Sequence, residues 1–120
     1  MKSFRIFAIL AAVLKAQRLG VIQVEGNSMT PTFKAGSNVI IANISPGDKK
    51  RDRQLNNLEI GDVVVIDRES QLMLKRIKRI QVGKHTDQLM IWVEGDNPIE
   101  SVDSRQWGPI PIELVKAVVI

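Results

Sequence analysis

Residues 61–80 read GDVVVIDRESQLMLKRIKRI, and this stretch decides the fold. Val63-Val64-Val65-Ile66 follows the turn-forming pair Gly61-Asp62, and Leu72 to Ile80 makes a second β-rich run. Side chains branched at Cβ crowd a helix but pack well on a pleated sheet. The same pattern extends outward in both directions. Val21-Ile22-Gln23-Val24 comes before it, and Val39-Ile40-Ile41-Ala42 follows a Gly36-Ser37-Asn38 turn. Leu89 to Val93 and Val115 to Ile120 complete the set. Short β-rich runs punctuated by Gly, Asp, Asn and Pro predict a mainly β, antiparallel domain, a sandwich or a partly open barrel. The whole chain agrees, with 28 Ile and Val against 9 Leu.

With 120 residues the chain has room for one domain, and 44% apolar residues supply its core. Residues 1–19, MKSFRIFAILAAVLKAQRL, lack Gly, Pro and Asn and predict an N-terminal helix; residues 20–120 form the β domain. Ile6 to Leu14 is an unbroken apolar run, but nine helical residues rise only about 14 Å, roughly half a bilayer core. The segment can touch a membrane without spanning it. A packed helix, a membrane-surface anchor and a targeting segment are the three readings open to it. Ser45 to Asn57, SPGDKKRDRQLNN, is polar and strand-free and predicts a loop.

Composition also excludes chemistry. There is no cysteine, hence no disulfide, thiol nucleophile or cysteine zinc site. The single histidine, His85, cannot build a zinc-protease motif and is thin material for a Ser-His-Asp triad. No metal or cofactor is expected. Hydrolytic chemistry would have to use carboxylates, or a hydroxyl nucleophile with a base other than histidine. The net charge of +4 and pI near 9.7 permit attraction to nucleic acid or an anionic membrane without demanding either.

Three segments could carry chemistry. In Val24-Glu25-Gly26-Asn27-Ser28-Met29-Thr30-Pro31-Thr32-Phe33 a strand runs into a Gly-Asn-Ser-Met turn that ends at Thr-Pro. Gly26 permits an unusual turn, Pro31 fixes the exit, and Ser28 can present its hydroxyl and its backbone N–H at the strand end. By itself the segment reads more simply as an ordinary serine in a Gly-Pro turn. In the second, Leu72 to Ile80, alternation puts Met73, Lys75 and Ile77 on one face and Leu72, Leu74 and Arg76 on the other. Lys75 on an apolar face would be desolvated, which disfavours its charged form. To act as a base near neutral pH its pKa must fall well below the ~10.4 of a free lysine. Taken alone, a basic strand whose lysines reach water is the simpler reading. Lys78-Arg79-Ile80 repeats Lys75-Arg76-Ile77 three residues on, which in a regular strand flips the face, so only one lysine can face Ser28. The more apolar face selects Lys75. The third segment, residues 93–105, contains a Gly95-Asp96-Asn97-Pro98 turn and the neighbours Ser101, Asp103 and Arg105. In isolation it is a hydrophilic hairpin loop.

Taken together, the three segments resemble the type I signal peptidase family of Ser/Lys proteases. The resemblance rests on Gly26-x-Ser28-Met29-x-Pro31-Thr32, then Lys75-Arg76, then Gly95-Asp96-Asn97-x-x-x-Ser101-x-Asp103-Ser104-Arg105, in that order and spacing. It implies a partly open β-barrel of the kind shared with the C-terminal domains of SOS repressors. By position it makes Ser28 the nucleophile and Lys75 the general base, with Ser101 orienting the lysine. Asp103 and Arg105 become a bracing ion pair, Met29 and Pro31 shape the loop beside the substrate, and Arg76 follows the base as it does in the family. Some members place an extra serine hydroxyl where this chain has Gly26, so the Ser28 N–H serves alone in the oxyanion site. Val24-Glu25-Gly26-Asn27-Ser28-Met29-x-Pro31-Thr32, Gly95-Asp96-Asn97-Pro98 and Asp103-Ser104-Arg105-x-Trp107-Gly108-Pro109 look most similar to the nickel-type superoxide dismutase maturation proteases. That subgroup implies removal of an N-terminal propeptide from the dismutase precursor, bound as an extended peptide. It also implies a cytoplasmic protein, peripheral on a membrane at most.

Two alternatives stand beside this reading. One is a small type I signal peptidase docked on a membrane through residues 1–19. The other is a non-catalytic nucleic-acid-binding β domain using Lys49 to Arg53 and Lys75 to Arg79, disfavoured by its few stacking aromatics. A self-cleaving SOS repressor is disfavoured too. Nineteen residues cannot make a helix-turn-helix, and no Ala-Gly or Cys-Gly pair precedes Ser28.

Overall fold

The computed structural model describes residues 18–120. The helix expected over residues 1–19 lies outside them except at its end, where Leu19 opens the first strand instead. The strands are β1 (Leu19–Gln23), β2 (Asn38–Asn43), β3 (Val63–Arg68), β4 (Gln71–Val82), β5 (Leu89–Glu94), β6 (Ile110–Pro111) and β7 (Val115–Val119). They form one sheet in the order β1-β2-β7-β3-β4-β5-β6. Every pairing is antiparallel, as the strand pattern predicts.

The unbroken apolar run that opens the sequence reading becomes the middle strand. Val63, Val64, Val65 and Ile66 are all buried, because β3 has a core on each face. Val64 and Ile66 pack with Ile77, Ile91, Val93 and Val115. Val65 points the other way, into a smaller core with Val24, Val39, Ile41 and Ala117. A strand buried on both faces has no reason to alternate apolar with polar residues.

Two local departures from regular pairing shape β4. The β3–β4 hairpin closes through Glu69 and Ser70, both with positive φ (55° and 64°), the backbone of a two-residue I′-like turn. Neither residue is the Gly or Asn that marks such a turn in a sequence. Farther along, the register between β4 and β5 shifts between Ile77 and Arg79, leaving Lys78 as the extra residue of a bulge. The bulge undoes the face flip expected of a three-residue repeat. Ile77 and Ile80 both pack on the larger core, while Lys75 is buried and Lys78 exposed.

The loop expected over Ser45–Asn57 is corrected. Asp48–Asn56 is a helix, α1, starting after Gly47. Lys, Arg, Gln and Leu are good helix formers, and Leu55 is a single buried anchor. Gln54 Oε1 accepts from the Ser45 N–H at 2.8 Å, and Arg51 Nη2 donates to the Glu113 carbonyl at 2.8 Å. With one apolar anchor, the sequence offers no 3.6-residue period to read. A second, one-turn helix, α2 (Ser104–Trp107), follows the Asp103 cap.

Candidate active site

The turn after β1 presents Ser28. The chain leaves the strand through Val24, whose N–H donates to the Ser37 carbonyl at 2.8 Å. Gly26 then takes a φ of +70°, the left-handed region that glycine enters without steric cost. Thr30 N–H closes back on the Asn27 carbonyl at 3.2 Å, and Phe33 N–H on that of Met29 at 2.9 Å. Met29 is buried to 1% exposure and pins the turn to the body. Ser28 itself stays half-buried, on the wall of a groove of about 860 Å³. Ile22 to Glu25 and Gln71 to Lys75 line that groove with it.

Lys75 reaches the same groove from β4, where it pairs with Val64 on the central strand. It is 4% exposed, an unusual position for an amine. Burial holds its pKa below the ordinary lysine value; the Asp103 carboxylate opposes this shift and the Arg105 guanidinium adds to it. Lys75 Nζ donates to Ser101 Oγ at 3.1 Å, and Ser101 Oγ donates to Asp103 Oδ2 at 2.5 Å. The serine hydrogen is thereby committed to the carboxylate, so the serine oxygen must accept from the amine. One Lys75 N–H is fixed in direction, and the remaining positions on its nitrogen are left to point elsewhere. Among the described residues, no hydrogen bond joins Ser28 Oγ to Lys75 Nζ; the two share the groove wall.

Asp103 is fully buried, yet it stays ionised. Burial alone would raise its pKa, but its hydrogen bonds outweigh that and bring the carboxyl far below the usual range. Arg105 donates through Nε at 3.0 Å, Nη2 at 2.6 Å and its backbone N–H at 3.1 Å. Gly95 N–H adds a bond at 2.9 Å. Asp103 also caps α2 in a reciprocal box with Gln106.

The Gly95-Asp96-Asn97 run is more than a turn. Asp96 receives Arg76 Nε at 2.9 Å and Nη2 at 2.8 Å, and Thr32 Oγ1 at 2.6 Å. The Arg76 hydrogen bond, only partly opposed by burial, lowers the Asp96 pKa. Asp96 N–H rests on Met29 Sδ at 3.4 Å. Asn97 N–H donates to the Ser28 carbonyl at 2.8 Å, and Asn97 Nδ2 bridges the Asn27 carbonyl and Thr30 Oγ1. The loop after β5 therefore grips the Ser28 turn from below while its continuation holds Lys75.

The nine residues given roles in the sequence all sit in this region, Pro31 within the serine turn between Thr30 and Thr32. Ser28 and Lys75 line the groove, and Gly26 and Met29 form and anchor the serine turn. Ser101, Asp103 and Arg105 make a chain behind the lysine. Arg76 does not touch that chain; it braces Asp96 and the Gly61 carbonyl. Sequence reasoning missed the work of Thr32, Asp96 and Asn97, although Gly95-Asp96-Asn97 was itself the signal. Among the described residues, no group of three or more His, Cys, Asp or Glu is placed to hold a metal ion.

A mainly β antiparallel domain with this groove has the fold of S24- and S26-type peptidases. The chain belongs to the Peptidase S24-like family, whose profile matches residues 4–100, a span that includes Ser28 and Lys75. It is similar to mitochondrial inner membrane protease subunit 1 of Schizosaccharomyces pombe, 32% identical over 79% of this chain and 67% of that protein. Subunit 1 of Mus musculus is 29% identical over 81% of this chain and 64% of its own length. Subunit 2 of Schizosaccharomyces pombe is 28% identical, with coverage of 81% and 60%. The chain thus spans about two thirds of the length of the curated relatives it matches. Among the described residues, no helix is long and apolar enough to cross a membrane.

Proposed function

We propose that this chain is a serine endopeptidase that removes an N-terminal propeptide from a precursor protein, with Ser28 as nucleophile and Lys75 as general base. The observation that carries the reading is one groove lined by both a turn serine and a desolvated lysine. Ser28 Oγ attacks the scissile carbonyl while the uncharged Lys75 amine takes its proton. The Ser28 backbone N–H donates to the developing oxyanion. Lys75 then protonates the leaving amine, and in the second half of the cycle it activates the water that releases the acyl group. Ser101, Asp103 and Arg105 aim the amine and do not exchange protons with substrate.

Substrate enters extended. β1 is an edge of the sheet, and β5 pairs with β4 only from Arg76 onward. Among the described residues the Gln71–Lys75 backbone therefore has an unpaired edge along a groove that Ile22 to Glu25 also line, and a peptide can add there as a strand. The substrate we propose is the precursor of a nickel-type superoxide dismutase, on the strength of the three motifs that look similar to its maturation protease. The site of action would be the cytoplasm, with at most peripheral membrane contact. A second reading, a membrane-docked processing peptidase, is favoured by relatives named as mitochondrial inner membrane protease subunits. Retention of activity in the membrane pellet after a high-salt wash would select it.

The test is to incubate purified protein with the dismutase precursor and read the new N-terminus by mass spectrometry. Wild type should give one new terminus and Ser28→Ala none, with unchanged thermal unfolding. Full cleavage by Ser28→Ala would refute the serine mechanism. An active wild type that ignores this precursor but cuts another would refute the substrate alone.

A further inference from the structure

Arg68 lies in the groove but takes no part in the chemistry. It ends β3 opposite Gln71, and with Trp107 it lines the same cavity as Ser28 and Lys75. Its guanidinium stacks over the Trp107 ring at 4.1 Å from the centroid. Trp107 is fixed in turn, packed against the larger core. The stack sets the orientation of the guanidinium but occupies only its face, leaving the N–H groups at its rim to donate. Its ion pair among the described residues is with Glu69 at 3.9 Å, and the Glu69 side chain is 81% exposed. Such a pair is worth little in water and yields readily to a better acceptor.

The charge inventory of the groove sharpens the point. Its charged lining residues are Glu25, Arg68 and Lys75. Where Lys75 is uncharged, as the proposed mechanism requires, Arg68 is the remaining cation of the groove among the described residues. Its cross-strand partner Gln71 is four residues before Lys75 on β4, or about 13 Å at the ~3.3 Å rise of a strand. A peptide added along that edge advances at the same rate, so a side chain about four residues from the scissile bond comes level with Arg68.

We propose that Arg68, oriented by Trp107, is a specificity residue that selects substrates with a carboxylate side chain about four positions from the cut, on the arm running toward the β3–β4 hairpin. Planar guanidinium and carboxylate groups pair through two parallel hydrogen bonds, which a lysine or a neutral residue in the substrate cannot reproduce. This inference rests on the peptidase reading above and adds the substrate class to it.

The experiment uses the full chain and a synthetic peptide spanning the mapped cut, with one position at a time made Glu, Gln or Lys. For each peptide kcat/KM is measured with wild type, Arg68→Gln and Arg68→Glu. Wild type should prefer Glu over Lys by roughly tenfold at one position about four residues from the cut, and nowhere else on that arm. Within Arg68→Gln that ratio should fall toward one, and within Arg68→Glu it should invert. Ratios inside one variant cancel any general loss of activity. Cleavage of the neutral parent peptide with no charge preference at any position overturns the role of Arg68 and leaves the peptidase reading intact. A preference that survives both Arg68 variants overturns it as well. Cleavage of no peptide by wild type takes down the peptidase reading and this proposal together.

Discussion

Replacing Gly95 with alanine tests the architecture of the site at its tightest point. A Cβ built there falls 2.7 Å from the Ser28 carbonyl oxygen and 2.7 Å from Ser101 Cβ, and closer still to Ser101 Oγ. Ordinary contact begins near 3.4 Å, so the Ser28 carbonyl oxygen and Ser101 Cβ must each retreat by about 0.7 Å and Ser101 Oγ by more. The Ser28 carbonyl is backbone and is held by Asn97 N–H, while the Ser101 hydroxyl is held by Asp103. Neither can swing aside as the end of a flexible side chain would. Overpacking of this kind costs about 1 to 3 kcal/mol. For a domain near this size that lowers Tm by roughly 5 to 20 °C. Activity should fall further than stability does, because the methyl wedges apart the turn that carries Ser28 and the serine that aims Lys75. A displacement of about 1 Å in a catalytic pair can cost on the order of a hundredfold in rate. The assay is peptide turnover at a temperature where circular dichroism shows the variant folded, beside a thermal melt. Wild-type Tm together with wild-type kcat in Gly95→Ala would refute the packing of the serine turn against this loop.

Further outcomes follow from the same geometry. Lys75→Met should abolish turnover, whereas Lys78→Ala, at an exposed bulge, should keep most of it; reversed results in the peptide assay would mean that the other lysine is the base. Activity should rise with pH as Lys75 loses its proton, with a midpoint below that of free lysine, since burial lowers its pKa; a pH–kcat/KM profile with its midpoint at or above the free-lysine value would contradict a desolvated base. Stability carries the same sign. Between the lowered folded pKa and the ordinary value the unfolded chain binds more protons, so wild type gains stability as pH rises through that window, and Lys75→Met should flatten that slope in denaturant titrations. On the acid side Asp103 behaves in the same sense at lower pH: its depressed folded pKa contributes stability above the usual carboxylate range that is lost as pH falls, and Asp103→Asn should remove much of that acid-side dependence.

The sheet was legible because β3 and its neighbours carry β-branched runs between glycine and aspartate turns, and burial on both faces only strengthens that signal. Three features were not legible, each for a local reason. The α1 helix hangs on Leu55 alone, so its residues look like a charged loop. The β3–β4 turn uses Glu69 and Ser70 at positive φ, where sequence convention looks for glycine or asparagine. The bulge at Lys78 breaks the two-residue period on which the comparison of the two lysines rested. For the candidate site, residue types and spacing picked out residues that the fold gathers into one region. What spacing could not supply was the pairing of Arg76 with Asp96 rather than with the groove, and the grip of Asn97 on the serine turn. Those contacts join residues as many as 70 positions apart, and only tertiary structure brings them together.

A buried carboxylate beside a lysine meant to be neutral looks self-defeating, because the negative charge stabilises the ammonium. The resolution lies in what Arg105 does. It meets Asp103 with two side-chain nitrogens at 3.0 and 2.6 Å, so the field reaching Lys75 is that of a pair, not of a bare anion. The attraction of Asp103 and the repulsion of Arg105 work against each other at the amine, and desolvation, the largest influence, sets the direction. Asp103 is then free to perform its other task, taking the Ser101 hydrogen so that Ser101 can accept from Lys75. Without Arg105 the same carboxylate would pull the lysine toward its charged form, and without Asp103 the serine would lose its orientation. The ion pair thus lets one loop orient the amine with less pull toward its charged form than a bare carboxylate would exert, while Asn97 and Gly95 of that same loop hold and pack against the serine turn.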